Sequence, residues 1–205
     1  MDSIIFDLDG TLWDSTSSVI GAWNKTLDEY EEIKNRLTVD DMKGVMGLVI
    51  TDIAKIFFPY LEEAKRFEII KDCCKSECDY LEKHGAVLYD KLEQTLHELS
   101  KKYSLFIVSN CQCGYIESFF KAHKLDKYFT DYENVGRTGL SKGENIRLIM
   151  KRNHLTKSVY VGDTEGDLKA ARYAGIPFIY ARYGFGQVKE YDYVIDSFHE
   201  LLRMI

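Results

Sequence analysis

From about residue 86 onward this 205-residue chain alternates short apolar runs with amphipathic stretches. The apolar runs are Leu105-Phe106-Ile107-Val108, Val159-Tyr160-Val161 and Phe178-Ile179-Tyr180, with helical patterns at roughly 90–102, 113–123, 142–153 and 165–174. That alternation is the signature of a parallel sheet with helices on its faces. A further run, Ile4-Ile5-Phe6, opens the chain but is set apart by a long segment of different character. Between about 15 and 84 no strand-like run occurs; Ile50, Ile53, Ile56 and Phe57, then Phe67, Ile70, Cys74 and Leu81, recur at helical spacing. The expected class is α/β: a Rossmann-like parallel sheet with helices on both faces, built from residues 1–14 and 85–205, with an all-helical insert of three or four helices over 15–84.

The opening run leads straight into Asp7-Leu8-Asp9-Gly10-Thr11. Strand side chains alternate faces, but the chain turns at Gly10, so both acids can converge beyond the strand end. Open α/β sheets place their ligands at that carboxyl edge. Two like charges so close repel, which implies a cation, a shared proton, or both. An insert that follows Thr11 hangs directly over this pair, where a cover excludes water and selects substrates.

Composition narrows the partners. The chain is 45% hydrophobic and 29% charged, ordinary for a soluble globular protein. A formal net charge of −6 argues against nucleic acid as a partner, although local cations can still hold a small anion. No apolar stretch approaches the roughly 18 residues of a membrane span, and the N-terminus reads as a strand rather than a signal peptide. The five cysteines have neither disulfide nor zinc spacing and read as reduced thiols of a cytoplasmic protein; Cys111 and Cys113 are the pair nearest the expected site. A monomer or homodimer is expected.

Further features point to the same sheet edge. Ser109 and Asn110 end the run Leu105–Val108, where a hydroxyl and free backbone N–H groups suit a phosphate oxygen. Ser141-Lys142-Gly143-Glu144 fits a capping box, and a lysine in the first helical turn opposes the helix dipole unless an anion lies nearby. Helix N-termini also bind phosphate through their free N–H groups. In Val161-Gly162-Asp163-Thr164-Glu165-Gly166-Asp167 the two aspartates stand at i, i+4, a repulsive spacing on a helix that a divalent cation turns attractive. Magnesium takes one or two protein carboxylates, waters and substrate phosphate oxygens, which matches this supply. Gly175, after the helical run, reads as a C-terminal cap.

Taken in this order, the motifs closely resemble the haloacid dehalogenase superfamily of hydrolases, in its magnesium-dependent, phosphoglycolate-phosphatase-like branch. The resemblance covers nearly the whole chain and makes the insert at 15–84 a cap domain. It implies Asp7 as nucleophile and Asp9 as general acid/base, with Ser109, Asn110 and Lys142 holding phosphate. Mg2+ falls to Asp7, Asp163, Asp167 and the backbone carbonyl of Asp9. Lys43, in a turn between two expected cap helices, is a candidate for substrate selection where it is not simply a solvated lysine, and Trp13 packs at the cap hinge, in the core or at an interface. Many relatives place proline after the lysine, where this chain has Gly143, so a looser helix start is expected.

The activity implied is hydrolysis of a small phosphorylated metabolite through an aspartyl-phosphate. A sugar phosphomutase on the same scaffold uses the same core residues, so the two are not separated by the motifs. A non-catalytic phospho-acceptor is the reading from another class; receiver domains, which it resembles in its acids and lysine, have neither the insert nor the late GDxxxD.

Overall fold

The computed structural model describes residues 1–205. Strand β1 (Ser3–Phe6) alternates its side chains between two buried clusters: Ile4 and Phe6 enter one, Ile5 the other. The same alternation repeats in later strands and defines two helical layers around one sheet. After β1 come β2 (Trp13–Asp14) and four helices: α1 (Thr16–Leu27), α2 (Val39–Lys43), α3 (Ile50–Phe57) and α4 (Glu63–His84). Strand β3 (Val87–Leu88) then pairs antiparallel with β2, Trp13 opposite Leu88 and Asp14 opposite Val87. The helical segment therefore leaves and re-enters through one short ribbon.

The remaining chain is a regular α/β succession: α5 (Leu92–Ser100), β4 (Ser104–Ser109), α6 (Tyr115–His123), β5 (Asp131–Asn134), α7 (Val135–Thr138), α8 (Lys142–Arg152), β6 (Ser158–Gly162), α9 (Glu165–Ala174), β7 (Phe178–Ala181), β8 (Tyr193–Ile195) and α10 (Leu201–Met204). The six-stranded sheet has order β5-β4-β1-β6-β7-β8, with every pairing parallel. Strand β1 lies between β4 and β6, so the strand order reverses beside its carboxyl end, where such sheets bind ligands. No helix is long and apolar enough to cross a membrane.

Strands β5 and β8 were not expected from the apolar runs. Strand β5 reads Asp131-Tyr132-Glu133-Asn134, and its acids are held by Arg152, which contacts Asp131 at 2.8 Å and Glu133 at 3.0 Å. Two residues of the helical periodicity also face outward rather than inward: Ile56 is 53% exposed and Phe67 65%. Helices α3 and α4 bury Ile53 and Ile70 of that periodicity, together with Ala54 and Ile69. At the start of α8, Gly143 does not loosen the helix. The capping box of Ser141 and Glu144 is complete, and a Cβ on Gly143 would stand 2.7 Å from the Tyr173 ring. Close helix packing, which proline's ring would obstruct, explains the glycine.

Candidate active site

Asp7 follows the last residue of β1, and its N–H donates to Val161 O at 2.8 Å, which fixes the backbone against β6. Its carboxyl is buried. Lys142, the first residue of α8, reaches across the sheet edge so that Nζ lies 3.0 Å from Asp7 Oδ1 and 2.6 Å from Asp167 Oδ1. Burial disfavours the charged ammonium, but Asp167 and Asp7 outweigh it and hold Lys142 above its usual range. The contact to Asp7 is not aligned as a hydrogen bond, and Asp7 Oδ1 has no hydrogen-bond partner. Burial, and then the Asp167 carboxylate, push Asp7 up to about 7 against the pull of Lys142.

Asp163 stands just beyond β6. Phe185 N–H and Gly186 N–H donate to its Oδ2 at 2.7 and 3.4 Å, while Oδ1 has no partner. Burial first, then Asp167 and Asp7, raise its carboxyl well above the ordinary range. Gly10, at φ +78°, gives Asp163 room: a Cβ there would overlap the Asp163 carboxylate. Asp167 differs from both. Oδ1 accepts from Lys142 Nζ and, at 3.3 Å, from Tyr160 OH; Oδ2 accepts from Asp163 N–H, Thr164 N–H and Thr164 Oγ1 at 3.2, 2.9 and 2.7 Å. Its lone pairs are committed to holding Lys142 and starting α9.

Ligand oxygens of Asp7, Asp163 and Asp167 lie within 4.8 Å of one another. Asp163 Oδ1 has no partner and Asp7 Oδ1 meets only the unaligned Lys142 ammonium, so three buried carboxylates share one cation, a costly arrangement that a second cation would relieve. A hard divalent ion takes oxygen ligands of this kind, so the donor set fits Mg2+.

Asp9 is half-buried, and its hydrogen-bond partners lie outside that cluster. Ser15 Oγ, Tyr115 OH and Trp13 Nε1 all donate to its Oδ1, at 2.6, 2.8 and 2.9 Å. No hydrogen bond holds Oδ2. Burial pushes the carboxyl up to about 6 against those three bonds, near the range useful for proton transfer at neutral pH. Trp13 sits where the hinge was expected, on β2, with its ring edge-on to Tyr115 and Phe119.

Ser109 ends β4 and is buried; its Oγ accepts from Cys111 N–H at 3.4 Å. The Asn110 side chain is turned elsewhere: Nδ2 donates to Gly47 O, in the loop after α2, at 2.7 Å. A small cavity of about 50 Å³ lies between the sheet edge and helices α1 to α4. Asp7, Asp9, Ser109 and Asn110 face it from below; Val19, Met46, Ile53 and Glu77 are among those above. Lys43 is exposed at the end of α2 and does not line this space, whereas its neighbour Met42 does. Helical geometry turns consecutive side chains by about 100°, which sends Lys43 outward when Met42 points in.

Ser15, Tyr115 and Glu77 were not among the residues read from the sequence. Only Glu77 left a trace there: it stands at i+3 from Cys74 and i−4 from Leu81, an acid on the apolar stripe of α4. All five cysteines are free thiols.

A family model described as haloacid dehalogenase-like hydrolase matches residues 4–181. A phosphoglycolate phosphatase of Vibrio parahaemolyticus is 25% identical, the match covering 98% of this chain and 95% of that protein. The pyrophosphatase PpaX of Bacillus mycoides is also 25% identical, over 100% of this chain and 97% of its own. Among solved structures, a haloacid dehalogenase-like family hydrolase from Streptococcus pneumoniae superposes with a TM-score of 0.86 at 23% identity, covering 100% of this chain and 98% of that one.

Proposed function

The chain belongs to the haloacid dehalogenase-like hydrolases, and from that premise we propose that it is a magnesium-dependent phosphatase acting on a small phosphate monoester through an aspartyl-phosphate. One observation carries the reading: Asp7, Asp163 and Asp167 crowd around the single ammonium of Lys142 with Asp163 Oδ1 unpartnered, while Asp9, which lines the cavity, has no hydrogen bond to its Oδ2.

In the first step Asp7 attacks phosphorus in line with the ester bond, which breaks as the new aspartyl O–P bond forms. The leaving alcohol takes its proton from Asp9 Oδ2. Three donors on Oδ1 fix the carboxyl's orientation and leave that oxygen to carry the proton. In the second step Asp9 takes a proton from water, the water oxygen attacks phosphorus, and the aspartyl O–P bond breaks to release phosphate and restore Asp7. General acid–base help of this kind contributes roughly 10²–10⁴-fold. Lys142 and Ser109 offset and position the phosphoryl charge. Mg2+, held by Asp7, Asp163 and the Asp9 backbone carbonyl, supplies the positive charge that lets these acids face a phosphate dianion. Asp167, with its oxygens already engaged, orients Lys142 and the start of α9.

Residues 15–84 serve as the cap. The cavity beneath it has room for only a few waters, so an ester enters when α1 to α4 swing away on the β2–β3 ribbon. The test is release of phosphate from p-nitrophenyl phosphate with Mg2+ or with a chelator, for the wild type and Asp7→Asn. Turnover only by Mg2+-loaded wild type is expected; a fully active Asp7→Asn enzyme removes the nucleophile assignment.

A further inference from the structure

The cap side of the cavity is where the leaving alcohol of the ester must sit, because phosphorus is committed to Asp7 at the floor. Sixteen residues line the space, and none is Lys, Arg or His. The phosphate-side cation, Lys142, is turned to Asp7 and Asp167 and does not line the cavity. The walls around the alcohol site are largely aliphatic, among them Val19, Met42, Met46, Ile50 and Ile53.

One ionisable group interrupts them. Glu77 projects from the middle of α4, is buried, and lines the cavity. Its Oε2 accepts from Trp23 Nε1 at 2.6 Å, a bond that spans α1 and α4 and fixes where the carboxyl stands. The Gln112 amide lies beside it from the core. No basic side chain pairs with Glu77. Burial pushes its carboxyl up to about 8, and a donor or a cation brought against it would favour the charged form.

Charge inventory decides what such a site accepts. A leaving group bearing a carboxylate or second phosphate would be desolvated against aliphatic walls, in a cavity whose lining includes the acids Asp7, Asp9 and Glu77 and no cation to pair with. Buried unpaired charge is strongly disfavoured. Specificity of this kind arises as much from rejecting the wrong ligand as from holding the right one. A hydroxyl or ammonium on the leaving group, by contrast, finds an acceptor in Glu77.

We propose that Glu77 is the specificity-determining residue of the cap, selecting phosphate monoesters whose leaving alcohol carries a hydroxyl or ammonium donor and rejecting those whose leaving group carries a second anion. The inference rests on the phosphatase reading above. It sets this chain apart from the substrates in the names of its relatives, since glycolate and phosphate are both anionic leaving groups.

The test is a kcat/KM comparison with Mg2+-loaded enzyme on ethanolamine phosphate, glycerol 3-phosphate, phosphoglycolate and pyrophosphate, with p-nitrophenyl phosphate as a report on the catalytic centre alone. Wild type is expected to favour one of the donor-bearing esters over both esters with anionic leaving groups by about tenfold or more, the worth of one well-placed polar contact. A larger advantage for ethanolamine phosphate identifies an ammonium as the group held, and one for glycerol 3-phosphate a hydroxyl; either supports the inference. Glu77→Gln keeps the shape and can still accept from Trp23, yet cannot ionise. It is expected to shrink the donor-over-phosphoglycolate ratio at least about fivefold, mainly through KM. Phosphoglycolate or pyrophosphate turned over as well as the donor esters by wild type overturns the inference, independently of any variant, as does an unchanged ratio in a folded Glu77→Gln. If p-nitrophenyl phosphate is not hydrolysed either, the phosphatase reading itself has failed and the inference falls with it.

Discussion

Asn110 Nδ2 donates to the backbone carbonyl of Gly47 at 2.7 Å, joining the end of β4 to the loop that follows α2. A residue expected to hold phosphate thus also ties the sheet edge to the helical segment. On the cap movement proposed above, the bond would break when the cavity opens to admit an ester. Asn110→Ala is therefore expected to leave overall stability within about 1 kcal/mol, the usual worth of one half-buried hydrogen bond. Turnover should suffer more, with kcat/KM falling about three- to tenfold as closure becomes less favourable. Steady-state kinetics together with amide exchange of residues 45–48 reads both. If exchange in that loop is unaltered while activity collapses, Asn110 works on phosphate after all.

The three donors converging on Asp9 Oδ1 invite separate removal. Asp9→Asn should lower kcat by roughly 10²–10⁴-fold, the contribution of a positioned proton carrier. Tyr115→Phe takes one of three hydrogen bonds from the charged form of that acid, so its carboxyl should move further up from about 6. The alkaline limb of the kcat/KM profile, which reports loss of the proton Asp9 donates, should then shift to higher pH. A limb that stays in place in Tyr115→Phe assigns that ionisation to another group.

Much of this architecture is legible in the amino-acid sequence. The runs at 105–108, 159–161 and 178–180 lie inside β4, β6 and β7, and four of the expected helices match α5, α6, α8 and α9 to within about three residues. These elements stand out because strand cores buried on both faces must be apolar, and because capping residues such as Ser141 mark helix starts. Strand β5 was hidden because its acids are neutralised by Arg152, a partner 19 to 21 residues away. The aspartates and Lys142 were found because their spacing is local to strand ends. Tyr115 and Ser15 were not, since what makes them matter is a shared distance to Asp9 Oδ1 from two elements 100 residues apart. Lys43 is exposed, which is its solvated reading; a five-residue helix carries too short a pattern to fix its buried face from sequence alone.

Asp7, Asp163, Asp167 and Lys142 form one electrostatic unit, and it should respond to metal as a unit. Mg2+ is expected to raise the melting temperature of wild type, since it would bind the folded protein, complete the unpartnered Asp163 Oδ1 and relieve the crowding of Asp7, Asp163 and Asp167. Asp163→Asn should lose most of that shift while remaining folded. Lys142→Met removes the one cation between two buried carboxylates and is expected to cost about 3–5 kcal/mol in metal-free protein. Part of that loss should return when Mg2+ is added. Calorimetry with and without the ion distinguishes these cases; an equal Mg2+ shift in wild type and Asp163→Asn removes Asp163 from the ligand set.

Glu77 makes a separate prediction about stability. Its ordinary value is 4.5, and in the folded protein burial holds it at about 8. A carboxyl raised in this way keeps its proton in the folded state through a range where the unfolded chain has already lost it. Folding therefore takes up a proton between those values, and stability falls as pH rises across that window. Glu77→Gln has no charge to bury, so its stability relative to wild type should improve steadily from about pH 5 to about pH 8. The change should be on the order of a few kcal/mol over that span, because each tenfold change in proton affinity corresponds to about 1.4 kcal/mol. The Trp23 bond accepts equally from an amide oxygen, so the comparison isolates ionisation rather than packing. Urea unfolding of both proteins at several pH values measures the difference directly. A gap between the two curves that does not change with pH would mean that Glu77 ionises in the folded protein as it does in water, and the cavity would then carry a standing negative charge.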